Sequence, residues 1–126
     1  MRGLLDTSIF VAREQGRSLG GLPDEAAISV VTLAELHIGV LVADEPRIRA
    51  QRLRTLSEVE RDFDAYPVAE GVARNFAELV ADARHKGRKP KIMDALIAAT
   101  AVTHDLVVYT QDSDFDDLLE VRVVQI

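Results

Sequence analysis

Cysteine is absent from the 126 residues, which excludes a disulfide framework and any thiolate metal site. That absence fits a reducing compartment, and the cytoplasm is the expected location. No apolar run is long enough to span a bilayer, and no basic segment followed by an apolar one opens the chain, so no membrane association is expected. Internal repeats and low-complexity segments are missing as well. What is present is a globular composition, 48% hydrophobic and 29% charged. The length suffices for one hydrophobic core, so residues 1–126 are expected to form a single domain.

The net charge of −6 speaks at first against a nucleic-acid partner. That objection weakens if acids are gathered on a metal ion. Setting aside Asp6, Glu35, Asp94, Asp112 and Asp114 removes five negative charges and leaves −1 on the remainder. Net charge therefore decides nothing about nucleic acid here.

The most apolar and most oddly acidic stretch is residues 92–115. Its first half, with Ile92, Met93, Leu96, Ile97, Ala98, Ala99, Ala101 and Val102, predicts a helix with little polar face, hence a buried one. Asp94 stands in the first turn of that helix, the only acid between Pro90 and His104. Residues 106–110 are β-branched and aromatic enough to predict a buried strand, and they run directly into Gln111, Asp112, Ser113 and Asp114. Acids at the edges of core elements are costly unless a cation meets them.

Earlier in the chain, residues 3–5 predict a short buried strand that runs into Asp6, Thr7 and Ser8 and then a helix capped by Thr7 or Ser8. Taken alone, Asp6 also reads as a helix cap. Residues 15–25, with three glycines and a proline, predict a loop. Residues 27–31 predict a second strand, and residues 32–42 a helix opened by Thr32 and Glu35 in the Thr-x-x-Glu capping-box pattern. Against a capping role, Glu35 is the only acid from Ala26 to Ala43, on an otherwise apolar helix. His37, two residues on, faces elsewhere and makes no zinc pair with it.

Residues 44–64 predict an amphipathic helix with Ile48, Leu53, Leu56 and Val59 as its apolar stripe and Arg47, Arg49, Arg52 and Arg54 on other faces. Tyr66-Pro67-Val68 predicts a brief edge strand. Residues 70–86 predict a helix with Val72, Phe76, Leu79, Val80 and Ala83 at helical spacing. A basic loop over residues 84–91 precedes Asp94, and residues 121–126 predict a last strand.

Strands alternating with helices predict an α/β fold, a three-layer sandwich with a mainly parallel central sheet and helices on both faces. In such sheets sites lie outside the carboxyl ends of the strands. Asp6, Glu35, Asp94 and Asp112 all fall at that rim. Crowded carboxylates raise one another's pKa and call for a counter-cation. Oxygen ligands without cysteine favour Mg²⁺ or Mn²⁺. Thr7, Ser8 and Thr110 are placed to orient water, ligand or phosphate behind the acids. Arg84, Lys86, Arg88, Lys89 and Lys91, with the Arg47–Arg54 face, suit backbone phosphates, contacts that carry affinity without sequence information.

Four motifs carry a resemblance: Asp6-Thr7-Ser8, Thr32-Leu33-Ala34-Glu35-Leu36, Ile92-Met93-Asp94-Ala95-Leu96-Ile97-Ala98, and Thr110-Gln111-Asp112-Ser113-Asp114-Phe115. In this order and spacing the chain resembles the PIN-domain ribonucleases, and among them the VapC toxins of bacterial toxin–antitoxin pairs. The resemblance implies a PIN fold, an Mg²⁺- or Mn²⁺-dependent endoribonuclease, and neutralisation by a small VapB-type antitoxin. Asp6, Glu35, Asp94 and Asp112 match the family's four acids, and Asp114 matches a position acidic in some members. It also implies a homodimer, and an antitoxin segment held in a groove formed by Ile9, Phe10 and Val11 with the 36–42 and 48–59 helices.

Two other classes are weighed against this reading. A phosphoryl-transfer domain of receiver type wants paired acids at the first strand and a late lysine. The haloacid-dehalogenase type wants Asp-x-Asp where this chain has Asp6-Thr7-Ser8. A non-catalytic PIN-like binding module should have lost at least one of the acids.

Overall fold

Residues 2–118 and 120–126 are described by the computed structural model. The most buried strands are the two with the most continuous apolar runs. β1 (Arg2–Leu5) buries everything after its first residue, and a strand over Val107–Thr110 is buried throughout. Such runs belong in the middle of a parallel sheet covered on both faces. They pair with each other, Leu5 opposite Tyr109.

In chain order the elements are β1, α1 (Thr7–Glu14), β2 (Glu25–Ser29), α2 (Val30–Val42), α3 (Pro46–Asp62), β3 (Ala65–Tyr66), α4 (Glu70–His85), α5 (Ile92–Thr103), β4 (Val107–Thr110), a 3-10 turn (Asp114–Asp117) and β5 (Val123–Gln125). The sheet order is β3-β2-β1-β4-β5, and every pairing is parallel. The expected mainly parallel sheet is thus wholly parallel. Period-two alternation along β1 and β4 splits the core between the faces. Leu4 and Val108 pack with α4 and α5 residues such as Val72, Leu79, Ile97 and Ala98. Leu5, Val107 and Tyr109 pack with Ile9, Phe10, Leu36, Leu56 and Val59 from α1, α2 and α3. Three layers result, helices covering both faces.

Gly3 permits the close approach of β1 and β4. A Cβ at that position would lie 2.7 Å from the Tyr109 ring and 2.8 Å from Pro23. Several element starts differ from the sequence expectation for reasons of capping. Val30 and Val31 favour a strand by propensity, yet they open α2, because Ser29 is extended and its Oγ accepts from Val31 N at 3.0 Å. Thr32 is fully buried inside α2, so the Thr32–Glu35 capping box does not form. On α3 the buried residues are Thr55, Leu56 and Val59, while Leu53 of the expected stripe is half-exposed. α5 is buried from Ala95 to Ala101 apart from the half-buried Leu96, but its first turn exposes Ile92 and Met93. The edge strand expected over Tyr66-Pro67-Val68 lies instead at Ala65–Tyr66, ending before Pro67, which has no N–H to donate, and the closing strand is present but shorter.

Two arginines of α3 have a structural use that the charge pattern did not show. α2 ends without a glycine cap or a basic residue in its last turn. Arg49 instead donates to the carbonyls of Ala43 (2.9 Å) and Leu41 (3.4 Å), and Arg52 to that of Gly39 (2.7 Å). They supply the donors that the final carbonyls of a helix lack. Among the described residues no helix is long and apolar enough to cross a membrane.

Candidate active site

β1 and β4 end side by side, and their register places the next residues of each strand together. Asp6 N donates to Tyr109 O at 2.9 Å, so Asp6 arrives beside Thr110. Asp6 is 3% exposed, a burial that an ionised carboxylate tolerates only with donors around it. Ser8 Oγ (2.7 Å), Thr110 Oγ1 (3.0 Å) and Ser8 N (3.4 Å) all donate to its Oδ2. The last of these makes Asp6, rather than Thr7 or Ser8, the N-cap of α1. Ser8 Oγ also accepts from Gln111 N, and Thr110 Oγ1 from Asp112 N, each at 3.0 Å. The hydroxyls behind Asp6 therefore also hold the backbone that carries Asp112.

Glu35 is brought in by α2, nearly a full turn beyond the buried Thr32. Thr7 Oγ1 donates to Glu35 Oε1 at 2.6 Å and lies 3.2 Å from Thr32 Oγ1. Asp94 comes from the first turn of α5, and Asp114 from the 3-10 turn after β4. Asp6, Glu35, Asp94, Asp112 and Asp114 line one pocket of about 470 Å³, with Thr7, Ser8, Val11, Arg17, Lys91, Ile92 and Met93. It opens where strand order reverses about β1, with β2 on one side and β4 on the other, the expected place for a site in a parallel sheet.

The electrostatics are those of an acid cluster lacking enough cations. Burial, then the charges of Asp6, Asp114 and Glu35, push the Asp94 carboxyl up to about 6. Glu35 is raised by burial and by Asp6 and Asp112, against the Thr7 hydrogen bond. Asp112 is raised by burial, Asp6 and Asp114, with Lys91 and Arg17 opposing. Lys91 Nζ sits 3.2 Å from Asp114 Oδ2, and this pairing raises the lysine's own pKa. Among the described residues, no three His, Asp or Glu side chains are already drawn together tightly enough to hold an ion.

The basic loop does not act as one unit. Lys91 lines the acid pocket. Arg84, Arg88 and Lys89 line a neighbouring cleft, while Lys86 lies in a crevice with Asp82, Asp117 and Glu120. Arg17 was missed by sequence reasoning. It lies in the glycine-rich loop, where no periodicity marks a position, and it lines the acid pocket after a turn closed by the Gly16 N to Arg13 O (3.1 Å) and Arg17 N to Ala12 O (2.9 Å) bonds. His37 is exposed on α2 and lines no part of the pocket.

Residues 3–120 match the PIN domain. The chain is 45% identical over 129 residues to Ribonuclease VapC5 of Mycobacterium tuberculosis, across 98% of this chain and 95% of that one. The chain belongs to the VapC family of PIN-domain proteins. Ribonuclease VapC8 of the same species is 48% identical to this VapC-family chain over 101 residues, covering 79% of it and 89% of VapC8. The crystal structure of VapBC-5 from Mycobacterium tuberculosis, a member of the VapBC family of toxin–antitoxin systems, superposes with a TM-score of 0.89. Its sequence is 42% identical, with 99% of this chain and 98% of that one covered. Membership of the PIN family leaves no place for the receiver and dehalogenase readings.

Proposed function

We propose that this VapC-family chain is an endoribonuclease toxin that hydrolyses RNA phosphodiester bonds with Mg²⁺ or Mn²⁺ and is neutralised by a VapB-type antitoxin. The observation that carries this reading is the convergence of Asp6, Glu35, Asp94 and Asp112 on one pocket at the carboxyl ends of β1 and β4, with Asp114 at its edge. The donor set fits a hard divalent cation. It is all oxygen, with neither cysteine nor histidine in the lining. Asp6, Glu35, Asp94 and Asp112 would hold the ion, with Asp114 assisting.

Such an ion, when bound, lowers the pKa of a coordinated water and offsets charge on a phosphodiester. The chain's own groups do the rest. Ser8 and Thr110 lock the Asp6 rotamer and tie Gln111 and Asp112 to it. Thr7 orients Glu35 and favours its ionised form. Lys91 and Arg17 supply positive charge at the pocket wall, suited to substrate phosphates and to moderating the repulsion among the acids. Arg84, Arg88 and Lys89 extend that positive surface next door. RNA cleavage should require Mg²⁺ or Mn²⁺ and stop in EDTA; full activity in EDTA, or activity restored only by Zn²⁺, would overturn the reading.

The antitoxin surface needs a correction to its expected residues. Ile9 and Phe10 are buried in the core and cannot contact a partner. Available instead are Val11 in a cleft of about 230 Å³ with Leu36, Gly39, Arg52 and Thr55, and the exposed Ile38, Leu41, Val42 and Leu53 on α2 and α3. That cleft shares Thr7, Val11 and Glu35 with the acid pocket. An antitoxin segment lying there could place an arginine on the carboxylates, which a bidentate guanidinium suits. The remaining exposed apolar surface suits pairing of two copies. We also take residues 1–126 as a single PIN domain acting in the cytoplasm.

A further inference from the structure

Resting on the ribonuclease reading, a second cleft beside the acids carries an assignment of its own. α5 is the most buried helix of the fold, yet its first turn leaves Ile92 52% and Met93 38% exposed. Exposing large apolar side chains is unfavourable unless something covers them. Ile92 is the shared wall of two cavities. On one side is the acid pocket, which Met93 also lines. On the other is a cleft of about 480 Å³ with Val80 and Pro90 as apolar lining and Arg84, Arg88 and Lys89 as cations. Both fall within the range of about 300–1,000 Å³ of sites that take a small ligand.

Of these cations, Arg84 and Lys89 have no ion pair among the described residues, and Arg88 has only a long one, 3.9 Å to Asp117. Positive charge beside an apolar shelf suits a nucleotide, whose phosphate meets the cations while its base covers the shelf. Arginine guanidinium planes are among the groups on which the splayed-out bases of single-stranded RNA lie, and the cleft supplies two arginines beside its aliphatic wall.

We propose that this cleft is a nucleotide subsite for single-stranded RNA. One base packs against Ile92 and the adjoining Val80–Pro90 wall, and Arg84, Arg88 and Lys89 hold the backbone next to the bond in the acid pocket. Lys86, in a crevice with three acids, takes no part. The five cations that the sequence groups together thus divide into a cleft of three, Lys91 at the acids, and a bystander.

The test uses the full chain carrying Asp94→Asn, so that binding is read without cleavage, and a fluorescein-labelled RNA dodecamer followed by anisotropy across salt. Arg84→Gln with Lys89→Gln should weaken binding and lower the slope of log K against log salt by about 1.4, that is about 0.7 for each lost phosphate contact on a single strand. Ile92→Ser should weaken binding about fivefold, as for loss of about 1 kcal/mol of apolar burial, with the slope unchanged. Lys86→Gln should change neither. Circular dichroism melts of each variant establish that the fold is retained. An unchanged slope in the double variant, or an equal effect of Lys86→Gln, overturns the subsite, as does failure of the parent chain to bind the dodecamer. If RNA binding depends on the cleft as stated while the wild-type chain cuts no RNA with Mg²⁺ or Mn²⁺, the subsite stands and the nuclease reading falls.

Discussion

Asp6 serves as the N-cap of α1 and as an acid of the pocket with the same carboxylate. Its Oδ2 takes the three donors from Ser8 and Thr110, so the capping role and the site role do not exclude each other. The informative residue is Asp94, whose surroundings are dominated by burial and like charge. If it faces like charges, removing its charge should help the metal-free fold. Asp94→Asn should melt at the same or a higher temperature than wild type in EDTA, while losing most cleavage and most stabilisation by Mg²⁺. A helix-start acid without that environment would instead cost a few tenths to about 1 kcal/mol when replaced. Combining it with Asp6→Asn should give a non-additive change, since both act on one cluster. Thermal melts with and without Mg²⁺, run beside a cleavage assay, distinguish the cases.

The sign of the pH dependence comes from the same residue. The folded-state pKa of Asp94, about 6, stands above its ordinary 3.8. Between those values the native chain holds a proton that the unfolded chain has released. Native stability should therefore fall as pH rises through that window in EDTA. Urea unfolding at pH 4.5 and pH 7 should show a larger drop for wild type than for Asp94→Asn, which lacks the titrating group. An equal drop would remove Asp94 from the cluster.

Among the elements, caps and close approaches decide what propensity leaves open. Ser29 is fully buried and starts α2 through its bond to Val31 N. Ser29→Ala should cost about 1 kcal/mol in urea unfolding, more than Thr32→Val, because Thr32 does not cap. Gly3→Ala places a methyl against the Tyr109 ring and Pro23. Overpacking of this kind costs about 1–3 kcal/mol, and a Gly3→Ala chain as stable as wild type would show that β1 and β4 yield more readily than their packing suggests. The amphipathic periodicity of α4 was legible because one face meets the core. The stripe of α3 was legible only in part, since Leu53 points away from what α3 covers, and its arginines divide between solvent and the end of α2.

Across the molecule as a unit, metal and antitoxin should act by mass action on the folded state. Mg²⁺ should raise the wild-type melting temperature progressively with concentration, in line with a stabilisation of RT ln(1 + [Mg²⁺]/Kd). The exposed α2 surface offers a second check. Leu41 is 71% exposed, so Leu41→Glu should leave the melting temperature nearly unchanged. Binding to a cognate VapB-type antitoxin should weaken at least about fivefold, as for a central apolar contact of an interface. Size-exclusion chromatography of the mixed proteins reads the result. Undiminished association would move the antitoxin away from α2.

Periodicity and local context are properties of short segments, and they were enough to establish the alternation of strands and helices, the absence of thiolate chemistry, and the four acids at strand ends and helix starts. They leave open the order β3-β2-β1-β4-β5, which alone brings Asp6 beside Thr110 across 104 residues. Nor do they separate the basic residues at 84–91, whose side chains a loop can aim at three different surfaces. Burial of Ile9 and Phe10 and exposure of Ile92 are set by what packs against each residue. Those neighbours are distant in sequence, so these features come into being only when the whole chain is folded.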